Sequence, residues 1–325
     1  MTSAMADPRM VQLSQPMDWD TTAMEFHLVD VFALGPASGN PLVVVTADGM
    51  PPDARMQALA AHFGVSETVF AVPGAPPRLR IFTPEAEIPM AGHPLVGTAW
   101  VLRRLGWIGD AAVLSAPGGE VAVEADDDGA RMTRTGPAPR GEAAAATLAG
   151  LLGARALGPA PIWDAGMPQA MLRVDDLAAL RPDHEGLRAR GDAEGWAGVS
   201  AYTLRDEPTG TGTGTGTGTH EHAPVAEVRH FAAPIGIAED PVTGSAAAAL
   251  GACLAARGVI GGAEPALTVL QGHHMGRPGR VDVRVRMGPD GPDAVTVGGA
   301  VVPSGHGVPG GTGGTGAIGP AAPAG

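Results

Sequence analysis

The chain contains no lysine. All 21 of its basic residues are arginine, set against 34 acidic residues for a net charge of −13. A surface of that sign repels a phosphate backbone, so no nucleic-acid partner is expected. Cysteine occurs once, at Cys253. One thiol cannot form an internal disulfide or a Cys-rich zinc site, which fits a reducing compartment, and Cys253 is expected to be a packed side chain. No window reaches the roughly 18 uninterrupted apolar residues of a membrane span, and the opening MTSAMADPRMVQLSQP lacks a basic start followed by an apolar core. We expect a soluble, cytoplasmic protein with no membrane partner.

What is present is ample apolar material: 325 residues, 44% hydrophobic, enough for one large domain or two modest ones. Three segments lack the periodicity that could offset their ordering entropy and are expected to be disordered: 1–23, the Thr-Gly run 209–219 and the Gly/Pro/Ala tail 304–325. His220, Glu221 and His222 adjoin the run, but two histidines on a flexible loop have no rigid surroundings, so no metal is assigned. Elsewhere FHLVDVF (26–32) and PLVVV (41–45) read as strands split by GPASGN. PPDARMQALAAHF (51–63) reads as a helix that stops at Gly64, and VSETVFAV resumes as strand.

The informative feature is a duplication. MAGHPLVGTAWVLRRLG (90–106) and VTGSAAAALGACLAARG (242–258) align at a constant offset of 152, from 91 to 243 and from 106 to 258. Each is a Gly-containing turn, a helix and a stop glycine. RIFTPEAEIP and RHFAAPIGIAEDP precede them, with Glu87 and Glu239 at the same offset. SGNPLVVV echoes AGMPQAMLRV, PPDARMQAL echoes RPDHEGLRA, and GVSETVF echoes GVSAYTL. This pattern predicts an α+β protein of two pseudo-symmetric lobes, 24–125 and 126–303, each a strand-rich roll around a central helix. AVTVGGAVV (294–302) is the last strand-like run.

In such a pair the N-termini of the central helices point into the cleft, where unpaired N–H groups attract a small carboxylate. The alternative is that both glycine turns only permit close packing. Glu67 is a carboxylate in one copy alone, since the GVSETVF echo sets Ala201 opposite it. Its apolar flanks could raise its pKa into the acid/base range, although strand alternation fits a surface Glu equally well. His93 and Ser245 follow Gly92 and Gly244 at the two helix mouths, where each could meet a ligand or cap its helix. Asp240 could hold an amino or hydroxyl group, or serve as an Asp turn before Pro241.

DVFALGPASGNPLVVV, SETVF, RIFTPEAEIPMAGHPLVGTA, FAAPIGIAEDPVTGSAAAALGACL and QGHHMGRPGRVDVRV, in this order over about 25–303, resemble the phenazine-biosynthesis isomerase-like (PhzF-like) family. The resemblance implies a diaminopimelate-epimerase-like fold and acid/base isomerisation of a small amino-carboxylate in the cleft, with neither metal nor organic cofactor. It further implies Glu67 as the single catalytic acid/base, with His93, Asp240, Gly244 and Ser245 binding substrate. A homodimer is the implied assembly, and the resemblance also suggests that the last strand, 294–302, returns to the first lobe. Related epimerases use two facing thiols, but Ala91 and Thr243 stand in those places, so two-thiol racemisation is chemically excluded.

Met90 stands where the family often has an aromatic residue, and the Thr-Gly run has no counterpart in it, so the resemblance does not name the metabolite. Arg277 could reach a ligand carboxylate, but a Gly-Arg-Pro turn shaping the chain is the expected role. It stays outside the catalytic set with His273 and His274. The scattered histidines contain no HExxH pattern for a metal hydrolase. The other reading of this scaffold is a noncatalytic metabolite-binding or interaction protein. If Cys253 only packs, Cys253→Ala should keep turnover within about twofold of wild type, and a larger loss in steady-state rate would restore a thiol role.

Overall fold

The computed structural model describes residues 23–205 and 223–309. The expected disordered segments 1–22 and 310–325, the Thr-Gly run 209–219, and His220 and His222 lie outside the described residues. In chain order the first half holds β1 (Met24–Val31), β2 (Asn40–Ala47), α1 (Asp53–Phe63), β3 (Glu67–Val72), β4 (Arg78–Phe82) and β5 (Glu87–Ile88). It continues with α2 (Gly92–Arg104), β6 (Ala111–Ala116), β7 (Gly119–Ala125) and β8 (Gly129–Thr135). Then follow β9 (Ala138–Ala143), α3 (Ala145–Leu152), β10 (Ala160–Asp164), β11 (Pro168–Arg173), α4 (His184–Glu194) and β12 (Gly198–Arg205). The chain closes with β13 (Val225–Ala232), β14 (Ile237–Asp240), α5 (Gly244–Ala256), β15 (Ala266–Gln271), β16 (Gly279–Gly288) and β17 (Gly291–Gly307). It is a mixed, strand-rich α+β fold in which every strand described is linked by backbone pairing. No described helix is long and apolar enough to cross a membrane.

Two helices are interior. Gly92 through Leu102 of α2 are all buried, as are Gly244 and Ala246 through Ala255 of α5. Neither helix presents a polar stripe, the pattern of a helix covered on all sides. α2 packs on β1, β2, β3, β7 and β8, and α5 on β10, β11, β15, β16 and β17. Beyond each helix the chain turns at a left-handed glycine, Gly106 (φ 73°) and Gly258 (φ 67°), at the predicted offset of 152.

The duplication extends to side-chain geometry. The Arg80 guanidinium donates through Nε and Nη2 to both carboxylate oxygens of Glu87, and Arg229 grips Glu239 in the same way. Each guanidinium also lies 5.2 Å from a ring centroid, Phe82 for one and Phe231 for the other.

β17 joins distant segments. Residues 294–300 pair with β8, and residues 301–307 continue antiparallel to β1, from Val301 opposite Val31 to Gly307 opposite Phe26. The strand therefore includes residues 304–307, which composition alone assigned to the tail. Their backbone pairing with β1 outweighs a local sequence of Ser, Gly and His. A one-residue slip between Leu28 and Val29 leaves Ser304 unpaired in the ladder. Its hydroxyl donates to Asp30 Oδ2 at 2.6 Å.

Arg277 reaches the same carboxylate. Its Nη2 donates to Asp30 Oδ1 at 2.6 Å and to the Ser38 carbonyl, and its Nε donates to the Gly39 carbonyl at 3.0 Å. Arg277 thus does more than shape its own turn, because it ties the 272–279 segment to the loop between β1 and β2. Asp30 is buried, so removing its partner leaves a charge with only neutral donors. Arg277→Met should cost about 3 kcal/mol, read as a lower urea midpoint at an unchanged m-value.

Candidate active site

The two interior helices meet end to end. A Cβ on Gly92 would lie 3.3 Å from the Ser245 amide nitrogen, and one on Gly244 would lie 3.7 Å from the His93 amide nitrogen. A side chain at Gly92 would crowd the head of α5, and one at Gly244 would crowd the Phe32 ring, 3.2 Å away, so both heads favour glycine. The residues before them, Ala91 and Thr243, make no side-chain capping bond, so the first-turn N–H groups stay free for a ligand. Both helix heads open onto a cavity of about 230 Å³, also lined by Glu67, His93, Asp240 and Ser245. The structure thus gathers all five sequence-predicted site residues around one space.

Glu67 begins β3 and is 8% exposed. Burial, reinforced by the nearby Asp240 carboxylate, pushes its pKa up to about 8. His93, in the first turn of α2, is buried to the point that its pKa falls to about 3. Glu67 Oε2 and His93 Nε2 lie 3.2 Å apart, yet neither atom has an aligned hydrogen-bond partner. At neutral pH this contact joins a mostly protonated carboxyl to a neutral imidazole, so it is not an ion pair. Two unsatisfied polar atoms at a cavity wall are costly to the fold and available to a ligand.

Asp240 is braced on both oxygens. Asn40 Nδ2 donates to Oδ1 at 3.0 Å, and the Thr243 hydroxyl donates to Oδ2. Burial still outweighs these donors, and the Asp240 pKa rises to about 6. Asn40 also donates to the Val242 carbonyl, accepts from the Ser66 hydroxyl and lies 3.4 Å from His93 Nδ1. Gln271 supports the same turn through the Asp240 carbonyl and the Thr243 amide and hydroxyl. Asp240 is therefore fixed by Asn40 from the first half of the chain as well as by its own turn. Ser245 lies one residue inside α5 and is not its cap, and His93 likewise lies inside α2.

Sequence reading missed Asn40 and Gln271. The signal for Asn40 was a polar residue opening the otherwise apolar run NPLVVV; Gln271 gave none. It also missed part of the opposite wall. Gln169 is buried with Oε1 unpartnered, while His230 Nδ1 lies 2.9 Å from the Ser200 hydroxyl. Burial lowers the His230 pKa to about 4.

One correspondence is corrected. Glu67 pairs with Leu42 and is followed by Thr68 opposite Phe82; in the second half Gly198 pairs with Gln169 and is followed by Val199 opposite Phe231. Helices α1 and α4 keep the same offset of 131, from 53 to 184, that links 67 to 198. The counterpart of Glu67 is thus Gly198, not Ala201. The short GVS echo misaligned the strands by three residues. A Cβ at Gly198 would lie 2.6 Å from His230 Nε2 and 2.8 Å from Gln169 Oε1, so these two side chains occupy the space a second carboxylate would need. Among the described residues no cluster of His, Cys, Asp and Glu could hold a metal ion. Cys253 is buried in α5, its thiol pushed up to about 12.

The profile of the phenazine biosynthesis-like protein family (PhzC-PhzF) matches residues 29–307. An uncharacterized isomerase from Mesorhizobium japonicum is 32% identical over 278 residues, covering 79% of this chain and 88% of that protein. Trans-2,3-dihydro-3-hydroxyanthranilate isomerase from Pseudomonas fluorescens is 31% identical over 274 residues, covering 78% and 87%. The crystal structure of a Bacillus anthracis phenazine biosynthesis protein of the PhzF family superposes with a TM-score of 0.75 at 25% identity, covering 88% of this chain and 98% of that one.

The raised Glu67 pKa has a consequence for stability. The folded state favours the protonated carboxyl, so that contribution is complete below about pH 4.5 and is lost as pH rises through about 8. Glu67→Gln cannot ionise. Relative to wild type it should gain about 4 kcal/mol between pH 5 and pH 9 in urea unfolding, and a flat difference would show that Glu67 is not desolvated.

Proposed function

The chain belongs to the phenazine biosynthesis-like family, and from that premise we propose that it is an isomerase in which Glu67 alone carries a proton between two carbons of a small cyclic or unsaturated amino or hydroxy acid. The observation that supports this most is the pair of buried, unsatisfied atoms, Glu67 Oε2 and His93 Nε2, 3.2 Å apart beside two convergent helix heads. In this reading the halves of the chain are pseudo-symmetric lobes of the diaminopimelate-epimerase type with the cavity between them.

The substrate carboxylate lies against the first-turn N–H groups of α2 and α5, around Gly244 and its neighbours, where both helix dipoles favour negative charge. Asp240, His93 and Ser245 orient its amino or hydroxyl group. The ionised Glu67 takes a proton from an acidic C–H, and the bonding electrons delocalise into the adjacent double bond. The same carboxyl then gives the proton back to a carbon further along that conjugated system. One C–H bond breaks, another forms, and the double bond shifts, with no oxidant, reductant or cofactor in the balance. Burial makes Glu67 a stronger base than an exposed carboxylate, as proton abstraction from carbon requires.

The opposite side supports isomerisation over epimerisation. Inversion needs a second proton carrier on the other face, and the position there is Gly198. His230, with a pKa near 4, is a weak base beside Glu67. One carboxyl serves one face.

Wild type and Glu67→Gln are compared in deuterated water on trans-2,3-dihydro-3-hydroxyanthranilate and a panel of small cyclic amino acids, followed by absorbance and mass. Wild type should incorporate deuterium into a substrate that both proteins bind, with exchange in the variant slower by about 10²- to 10⁴-fold. Retained exchange in Glu67→Gln would remove the assigned role, and binding without exchange by wild type would favour a noncatalytic binding protein. For the active substrate, kcat/KM should climb with pH and level off above about 8, as the free enzyme's Glu67 ionises.

A further inference from the structure

Among the described residues one arginine lines the cavity, and its guanidinium has no ion-pair or hydrogen-bond partner. Arg134, on β8, lines the cavity with Met132, its neighbour on the same face of the strand. Among the described residues Arg134 makes no ion pair or hydrogen bond. By contrast, Arg80, Arg103, Arg131, Arg140, Arg229 and Arg277 each hold a carboxylate. The lining includes the carboxyl groups of Glu67, Glu85 and Asp240, yet none of them reaches Arg134.

Its surroundings fix where the guanidinium stands. A Cβ on Gly166 would lie 3.3 Å from both Nε and Nη2 of Arg134, so the arginine lies against the 165–167 turn at a place where that turn has no side chain. Met132 marks the other reference point, because its Cε lies 3.5 Å from where a Gly92 Cβ would sit. On the same wall, Met132 thus borders the helix heads and Arg134 borders the 165–167 turn. One cavity thus offers two places for negative charge, the paired helix N-termini and Arg134.

We propose that Arg134 binds a second anionic group of the substrate, which makes this chain's substrate a dicarboxylate. This deepens the proposed isomerase and rests on the carboxylate position assigned there. The planar guanidinium fork suits bidentate contact with a carboxylate, and an unpaired, half-buried cation has attraction to give that a partnered one has already spent. Arg134 acts on specificity and takes no part in moving the proton.

Calorimetric titration with two rigid acids tests this: benzoate, with one carboxylate, and terephthalate, with two. Wild type should bind terephthalate at least tenfold more tightly than benzoate, the size expected for one charge-assisted contact. Arg134→Gln should bring terephthalate to within about threefold of benzoate while benzoate affinity stays near the wild-type value. Because the native guanidinium makes no bond to lose, the variant should melt near wild type. Equal affinities in wild type, or a terephthalate advantage that survives Arg134→Gln, overturns the second anion site and leaves the helix-head site standing. A wild type that binds neither acid overturns both.

Discussion

Everything at the site depends on two buried helices that meet head to head. Unpaired N–H groups at a helix start normally face water or a capping side chain. Here Gly92 and Gly244 let the two heads approach closely, and Ala91 and Thr243 supply no cap. The partial positive charge of both dipoles is concentrated on a cavity from which much of the water is excluded. Low polarity strengthens that charge and also penalises any other charge brought near it.

The same exclusion of water sets the acid/base chemistry. Glu67 and Asp240 are pushed up, and His93 and His230 down, chiefly because burial disfavours each charged form. At pH 7 Glu67 and both histidines are therefore mostly neutral, while Asp240, near 6, is mostly ionised. Rigidity comes from uncharged braces: Asn40 and Gln271 hold Asp240 and Thr243, and Asn40 lies beside His93. Asn40 comes from the first half of the chain and Asp240 from the second, so this amide registers one half against the other.

The duplicated helices were legible because their glycines recur at one offset and their apolar faces are continuous. Glu67, His93, Asp240 and Ser245 stood out in the sequence as polar residues near glycine turns or strand starts, and Gly244 as a turn glycine. The match of Glu67 to Ala201 went astray because three shared letters, Gly-Val-Ser, outweighed the hydrogen-bond register that defines equivalence in a sheet. Gln169, His230 and Arg134 were not legible. Each lies on a strand whose sequence does not say which face meets the cavity.

The sequence by itself determined the strand-rich class, the two buried helices with their glycine heads, and the lack of a usable thiol, since each depends on local spacing or residue type. Only the tertiary structure decided that residues 304–307 complete β17, that Arg277 holds Asp30, and that Gly198 stands opposite Glu67. It also decided which side chains remain unpaired at the cavity wall. Those outcomes depend on pairings between segments far apart in the chain, as for Gly307 and Phe26. Local pattern contains no information about them until the chain closes on itself.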